Sequence, residues 1–134
     1  MKNNLLYWIP TALVVLVMGG GGLVDAIRAD AAVAVIVHLG YPVYFATLVG
    51  VAKVLGAIAI VAPVPRTVRE WAYAGLAFDV TAAAVSHATV GDPVFNPLFA
   101  LLVLVLVLVS YSGWRRRSAE GRPAVAPTLT TARA

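Results

Sequence analysis

The chain has 134 residues, of which 61% are hydrophobic and 12% are charged. This composition is typical of a membrane protein, because a soluble domain of this length does not need so much apolar surface. The absence of cysteine excludes disulfides, iron–sulfur clusters, thiolate zinc sites and covalently attached c-type haem within the sequence. The net charge of +4 does not indicate nucleic-acid binding, because half of the ten basic residues follow the last apolar run.

Four apolar runs predict an all-α fold, a bundle of four transmembrane helices. The runs cover residues 5–22, 43–62, 71–90 and 94–114. Each has about 20 residues, the length that crosses ~30 Å of hydrocarbon at ~1.5 Å rise per residue. A secretory signal peptide is the alternative for the first run, but Pro10 and the glycines at 19–22 do not suit a cleavage site.

A shorter apolar segment, residues 31–39, lies between the first two runs. Asp30 suits the N-cap position of a helix there, and Gly40 and Pro42 suit its end. The segment is too short to span a bilayer, so it predicts a short interfacial or re-entrant helix. Gly19–Gly22 predict that the first helix ends or loosens just before this segment.

The chain divides into a transmembrane domain of residues 1–114 and a basic tail of residues 115–134. The tail is rich in proline, alanine and threonine and is expected to be disordered. Basic residues favour one orientation, because only Arg28 lies on the opposite side from Lys2, Arg66, Arg69 and Arg115–Arg117. The positive-inside rule then places both termini in the cytoplasm, with the spans in the cell (inner) membrane.

Two ionisable residues interrupt the middle of the apolar runs. Lys53 is near the centre of the second run and Asp79 near the centre of the third, at matching depth. Charged residues at bilayer depth usually face a bundle interior and pair with one another. We therefore predict contact between Lys53 and Asp79. Both a purely architectural pair and a pair that binds or protonates a ligand remain open, with Asp79, Lys53 and His87 as candidate catalytic residues.

Further polar residues collect in the outer half of the predicted bundle. Ser86 lies almost directly above Asp79 on the same helix face, and His87 lies about 12 Å further along the helix than Asp79. The candidate ligand-binding residues are Lys53, Asp79, Ser86, His87, Tyr41, Asn96 and His38. More ordinary roles exist for His38 at a helix C-terminus and for Asp92 as a turn residue. Two histidines could together ligate haem or copper, but the sequence predicts no metal site.

Several segments together resemble the DoxX-like family of small four-helix membrane proteins. They are HLGYP at 38–42, GVAKVLGA at 50–57, EWAYAG at 70–75, FD at 78–79, SH at 86–87 and GDP at 91–93. The resemblance covers residues 5–114 and implies a four-helix integral membrane fold. Many members end the first span with Ser-Gly and then lysine, whereas this chain has four glycines and then Asp25, so a role of that lysine does not transfer.

The resemblance also implies a redox connection, because the family is named after a subunit associated with a thiosulfate:quinone oxidoreductase. The leading hypothesis is a membrane protein that binds a lipophilic or quinone-like ligand in an outward-facing polar pocket. Its partners would be the lipid bilayer, the ligand, and a second copy or a redox subunit, without nucleic acid. Two alternatives stay open: a non-redox isomerase or cyclase using acid/base chemistry on an apolar substrate, and an accessory subunit without a ligand.

Overall fold

A computed structural model describes residues 2–124, with side chains from residue 4 onward. Its elements are α1 (Lys2–Val14), a π-helical turn (Val15–Gly19), α2 (Gly20–Ala26), α3 (Asp30–His38), α4 (Val43–Val61), α5 (Arg66–Thr89) and α6 (Phe95–Glu120). No strand occurs in this part of the chain. The prediction of an all-α fold is confirmed.

Within the part of the chain that the structure describes, three helical stretches are long and apolar enough to cross a membrane: Asn4–Ala26, Val43–Val61 and Phe95–Glu120. Helix α5 has the length of a span, but it is not one of the three. Arg66, Arg69 and Glu70 lie in its first turns and Asp79 lies near its middle, which lowers its hydropathy. The count of four spans therefore stays a prediction.

The first helix loosens before its glycines but does not end there. Residues Val15–Gly19 form a single π-helical turn, and the chain then continues as α2 to Ala26. The first span is therefore longer than the predicted residues 5–22. The continuation as α2 matters for the site, because it places Asp25 within the helix instead of in a loop.

Helices α2 and α4 approach each other closely at two glycines. A Cβ atom added to Gly50 would lie 2.3 Å from the backbone nitrogen of Ala26 and 2.6 Å from the carbonyl oxygen of Gly22. A Cβ atom added to Gly22 would lie 2.7 Å from the Cβ atom of Lys53. Small residues at a helix interface allow this kind of backbone contact in membrane proteins. The contact places the last turn of α2 beside Lys53.

The remaining core joins α1, α5 and α6. Buried aromatic and aliphatic side chains fill it, among them Tyr7, Val14, Tyr73, Val107 and Trp114. The hydroxyl groups of Thr11 and Ser110 are fully buried and lie 2.6 Å apart, and the Tyr73 hydroxyl lies 2.8 Å from Ser110 Oγ. Each buried hydroxyl therefore has a hydrogen-bond partner, and one network links the three helices.

The short helix between the first two spans is present as α3, although its position at a membrane interface stays a prediction. Asp30 is its first residue and Ala29 is the preceding cap, which makes no side-chain hydrogen bond, so the N-cap assignment of Asp30 was wrong. A carboxylate in the first turn still complements the helix dipole. Gly40 follows α3 with φ of +89°, a left-handed conformation that suits glycine.

Helix α6 continues through the three arginines to Glu120. The helix thus extends into the segment for which the sequence predicts a disordered tail. Residues 125–134 of that tail lie outside the described residues.

Candidate functional site

A cavity of about 170 Å³ lies among α2, α3, α4 and α5. We call it the central cavity. Its apolar lining includes Ala32, Val35 and Ile36 from α3 and Phe45 and Val49 from α4. Its polar lining consists of Asp25, Lys53, Asp79, Tyr41, Ser86 and His87. Five of these six polar residues are candidate site residues from the sequence.

Lys53 lies between two carboxylates. Its Nζ atom is 2.9 Å from Oδ2 of Asp25 and 3.7 Å from Oδ2 of Asp79. The three side chains are mostly buried, with exposed fractions of 22% for Lys53, 16% for Asp25 and 24% for Asp79. We call these three residues the ion cluster. With all three ionised it carries one excess negative charge, so it can take up a proton or accept a hydrogen bond from a ligand.

Sequence reasoning missed Asp25 as a site residue. The predicted first span ended at residue 22, which left Asp25 in a loop. One signal was available in the sequence: Asp25 follows the four glycines by only three positions. One more helical turn beyond residue 22 is enough to include Asp25 in the first span. The close contact at Gly22 and Gly50, which no periodicity announces, brings its carboxylate to Lys53.

Tyr41 and Ser86 form the opposite part of the cavity wall. The Tyr41 hydroxyl lies 2.8 Å from Ser86 Oγ, and either group can donate the proton. The Tyr41 ring stacks on Phe45 with 4.6 Å between ring centroids. The stacking holds the ring, and the hydrogen bond joins the α3–α4 connection to the last turns of α5.

Asp92 bridges the two histidines of the chain. Its Oδ1 atom is 2.6 Å from His38 Nε2, and its Oδ2 atom is 2.6 Å from His87 Nδ1. These hydrogen bonds lower the pKa of the Asp92 carboxyl below its usual value, and the bond from His87 has a larger effect than the bond from His38. Asp92 is thus more than the turn residue that the sequence suggests, because it fixes the His87 ring at the cavity wall.

Two candidate residues are outside this cavity. The exposed side chain of His38 reaches Asp92 but does not line the cavity, so it acts on the site only through Asp92. Asn96 does not line it either, and its backbone N–H donates to the carbonyl of Pro93. Across residues 2–124, no group of three or more His, Cys, Asp or Glu side chains could hold a metal ion.

The ion cluster also borders a groove of about 310 Å³ between α4 and α5. Leu55, Val68, Trp71 and Leu76 are among its lining residues, and Lys53 and Asp79 are its charged ones. This groove contains none of the hydroxyl or imidazole groups of the central cavity. Of the two spaces that border the ion cluster, the central cavity is therefore the one that offers polar partners to both ends of a ligand.

A family model described as the DoxX-like family matches residues 9–110. The chain belongs to the DoxX-like family. The match includes the residues of the central cavity and confirms the resemblance drawn from the sequence. No curated protein and no solved structure matches the chain. Family membership and the three apolar helices together support a small membrane protein.

For this DoxX-like protein, the geometry unites most of the predicted site. Lys53, Asp79, Ser86, His87 and Tyr41 share one cavity. Asp25 joins them from α2. Lys53 is the cation of the ion cluster, between the carboxylates of Asp25 and Asp79.

Proposed function

We propose that this protein is a four-span membrane protein that binds a lipophilic, quinone-like ligand in the central cavity. The observation that carries the proposal is the arrangement of polar groups at two ends of a mainly apolar cavity. The ion cluster occupies one end, and Tyr41, Ser86 and His87 occupy the other. Small-molecule sites commonly combine an apolar wall with a few convergent polar groups.

The cavity suits the head group of such a ligand. Its volume of about 170 Å³ is comparable to an apolar cavity of about 150 Å³ that accepts benzene. The polar ends belong to residues about two helical turns apart on α5, so they suit a ring with oxygen atoms on opposite sides. The apolar lining from α3 and α4 suits the faces of that ring.

The ion cluster would hold one ligand oxygen and exchange a proton with it. Lys53 has three N–H donors, and at least one can turn to a ligand while Asp25 stays in contact at 2.9 Å. Asp79, at 3.7 Å from Lys53, is the less tightly engaged carboxylate. We assign Asp79 the role of proton acceptor or donor, because moving it away from Lys53 would disturb the ion cluster less than moving Asp25 would.

His87 would serve the second ligand oxygen. With its Nδ1–H donating to Asp92, the ring keeps Nε2 as an acceptor for a ligand hydroxyl. The hydroxyl of Ser86 adds a second group that can donate or accept. A bound quinone supplies two-electron, two-proton chemistry, and these residues position it and handle its protons.

The membrane part of the proposal is a cell-membrane location with four spans and both termini in the cytoplasm. Helix α5 is the fourth span, with Asp79 turned to Lys53 and the central cavity instead of lipid. A redox partner subunit or a second copy would contact the bundle from outside. The family relationship supports the redox role, and the charged cluster supports a ligand in the bundle.

The test is a titration of the purified full chain with decylubiquinone in detergent, followed by tryptophan fluorescence. Lys53→Met and Ser86→Ala should each raise the Kd about tenfold, because each removes a group that can donate a hydrogen bond to a quinone carbonyl oxygen. Arg66→Ala is the matched control, since Arg66 is exposed, pairs with Glu70 and lies outside the cavity. It should leave the Kd unchanged.

Mass spectrometry of apolar compounds that co-purify with the wild-type protein separates the alternatives. A bound non-quinone compound lost in His87→Gln would favour the acid/base enzyme. The ion cluster is architectural and the proposal is wrong if the cavity variants lose thermal stability but co-purify with the same quinones and other apolar compounds as the wild type.

A further inference from the structure

A second cavity, of about 460 Å³, lies at the opposite end of the bundle, where α1 begins and α6 ends. We call it the arginine cavity. Its lining includes Tyr7, Trp8, Ala62, Arg69, Trp114 and Arg117. We propose that it binds the head group of an anionic phospholipid, with the lipid phosphate held by Arg69 and Arg117.

Arg69 is fixed in the wall of this cavity. Its Nη2 atom donates to the carbonyl of Ala62 at the end of α4, and its guanidinium carbon lies 5.6 Å from the centre of the Trp114 ring. Its Nε atom is buried and has no hydrogen-bond partner in the described structure. A buried donor without an acceptor is rare in folded proteins. A phosphate oxygen brought into the cavity supplies an acceptor beside it.

Arg117 enters the same cavity from α6. Its guanidinium carbon lies 4.7 Å from the centre of the Tyr7 ring and 5.5 Å from that of Trp8. Aromatic faces attract the cation and restrain it, but they do not neutralise its charge. The guanidinium fork remains available for the oxygens of a phosphate.

Neither arginine has a carboxylate partner within residues 2–124. The nearby acid Glu70 is engaged elsewhere, with Arg66 at 3.1 Å and Arg115 at 3.5 Å. Among the described residues, the two arginines of this cavity therefore form no salt bridge, whereas the adjacent Arg66 and Arg115 share Glu70 as a counter-ion. An anion is the complementary ligand.

The surroundings favour a phospholipid over a free phosphate ion. Leu5, Leu6 and Ile9 on α1 are each more than half exposed beside the cavity residues Tyr7 and Trp8. They offer an apolar surface to acyl chains at the level where Trp and Tyr commonly mark the membrane interface. Basic pockets between membrane helices on the cytoplasmic side bind anionic head groups, which agrees with the predicted orientation.

The test uses the full chain in detergent with Trp71→Phe as background, so that Trp8 and Trp114 report on the cavity. Dihexanoyl phosphatidylglycerol, dihexanoyl phosphatidylcholine and inorganic phosphate are titrated separately. Phosphatidylglycerol should bind most tightly. Arg117→Gln and Arg69→Gln should each weaken its binding about tenfold, because each removes a charge-assisted hydrogen bond.

Arg116→Gln is the matched control, because it removes the same charge from the neighbouring residue, which lines a different pocket. The affinity of Arg116→Gln for phosphatidylglycerol should stay within about twofold of the wild-type value. If Arg116→Gln and Arg117→Gln lose the same affinity for phosphatidylglycerol, the lipid is attracted by general surface charge and the proposed site is wrong. Equal binding of phosphatidylcholine would overturn the anionic selectivity, and inorganic phosphate binding as tightly as phosphatidylglycerol would overturn the lipid assignment. Arg117→Gln keeps the proposal testable if Arg69→Gln fails to fold.

Discussion

Lys53 on α4 donates a hydrogen bond to Asp25 on α2, with 2.9 Å between Nζ and Oδ2. This contact joins the end of the first apolar helix to the middle of the second. It depends on the contact between the same two helices at Gly22 and Gly50, where any side chain would meet backbone atoms. Close helix packing and the ion cluster are therefore neighbouring contacts between the same two helices, and different substitutions can disturb each of them.

The two carboxylates of the ion cluster should contribute unequally to stability. Asp25 is nearer to Lys53 than Asp79 is, at 2.9 Å against 3.7 Å. Asp25→Asn should therefore lower the free energy of unfolding more than Asp79→Asn. We expect losses of roughly 1–3 kcal/mol, below the value for a dry buried pair, because the side chains keep some exposure. Thermal and denaturant unfolding in detergent measure these losses.

A double-mutant cycle with Lys53→Met checks whether the effects come from direct contact. The coupling energy with Asp25→Asn should exceed that with Asp79→Asn, since coupling falls with distance. Purely additive losses would show that Lys53 partners neither carboxylate.

Gly50→Ala should be strongly destabilising, by roughly 1–3 kcal/mol or more, because overpacking forces backbone to move. The added Cβ atom would lie 2.3 Å from the backbone nitrogen of Ala26. Gly75→Ala on α5 is the matched control, since nothing lies within 4 Å of its added Cβ atom. That change should be neutral or stabilising by up to ~1 kcal/mol. Equal effects of the two substitutions on the unfolding midpoint would contradict the close packing of α2 on α4.

The all-α class and most of the site follow from the sequence because they depend on local features. Apolar runs of membrane length define helices, and charges within those runs identify Lys53 and Asp79. The position of Asp25 does not follow, because glycine lowers helix propensity and the four glycines predict a break. Packing of Gly22 against α4 outweighs that local preference and continues the helix. Such a contact depends on two segments that are distant in the sequence, so the local pattern around Asp25 does not predict it.

The role of Asp92 illustrates the same limit. A residue between glycine and proline is most simply a turn residue, and the sequence puts Asp92 and His38 in the same outer half of the bundle without indicating a contact between them. The structure folds the end of α3 against the α5–α6 connection, so that His38 and His87 approach the carboxylate from two elements. Loop-mediated contacts between distant residues leave no periodic signal in the chain.

Acid should remove the stabilising contribution of Asp92. The folded-state pKa of its carboxyl is lowered by hydrogen bonds from His87 and His38. Its contribution is therefore fully present above the unfolded pKa of about 3.9 and is lost as the pH falls through the lower folded pKa. In detergent, wild type should exceed Asp92→Asn in thermal stability above about pH 4, and the difference should shrink below it.

Asp30→Asn serves as the control for this pH dependence, because Asp30 is an exposed carboxyl in the first turn of α3. Its difference from wild type should change less over the same pH range. A wild-type advantage over Asp92→Asn that is constant with pH would rule out titration of Asp92 as its source.

The number of spans is decided by α5, the long helix that falls outside the three most apolar stretches. If α5 crosses the membrane, the connections on its two sides face opposite compartments. Alkaline phosphatase or green fluorescent protein fused after Pro63 should report the cytoplasm, and the same reporters fused after Asp92 should report the periplasm of a bacterial host. Fusions after Arg28 and after Gly121 extend the series, with periplasmic and cytoplasmic results expected, because basic residues favour the cytoplasmic side. Pro63 and Asp92 fusions on the same side would leave α5 outside the bilayer and would contradict the four-span topology.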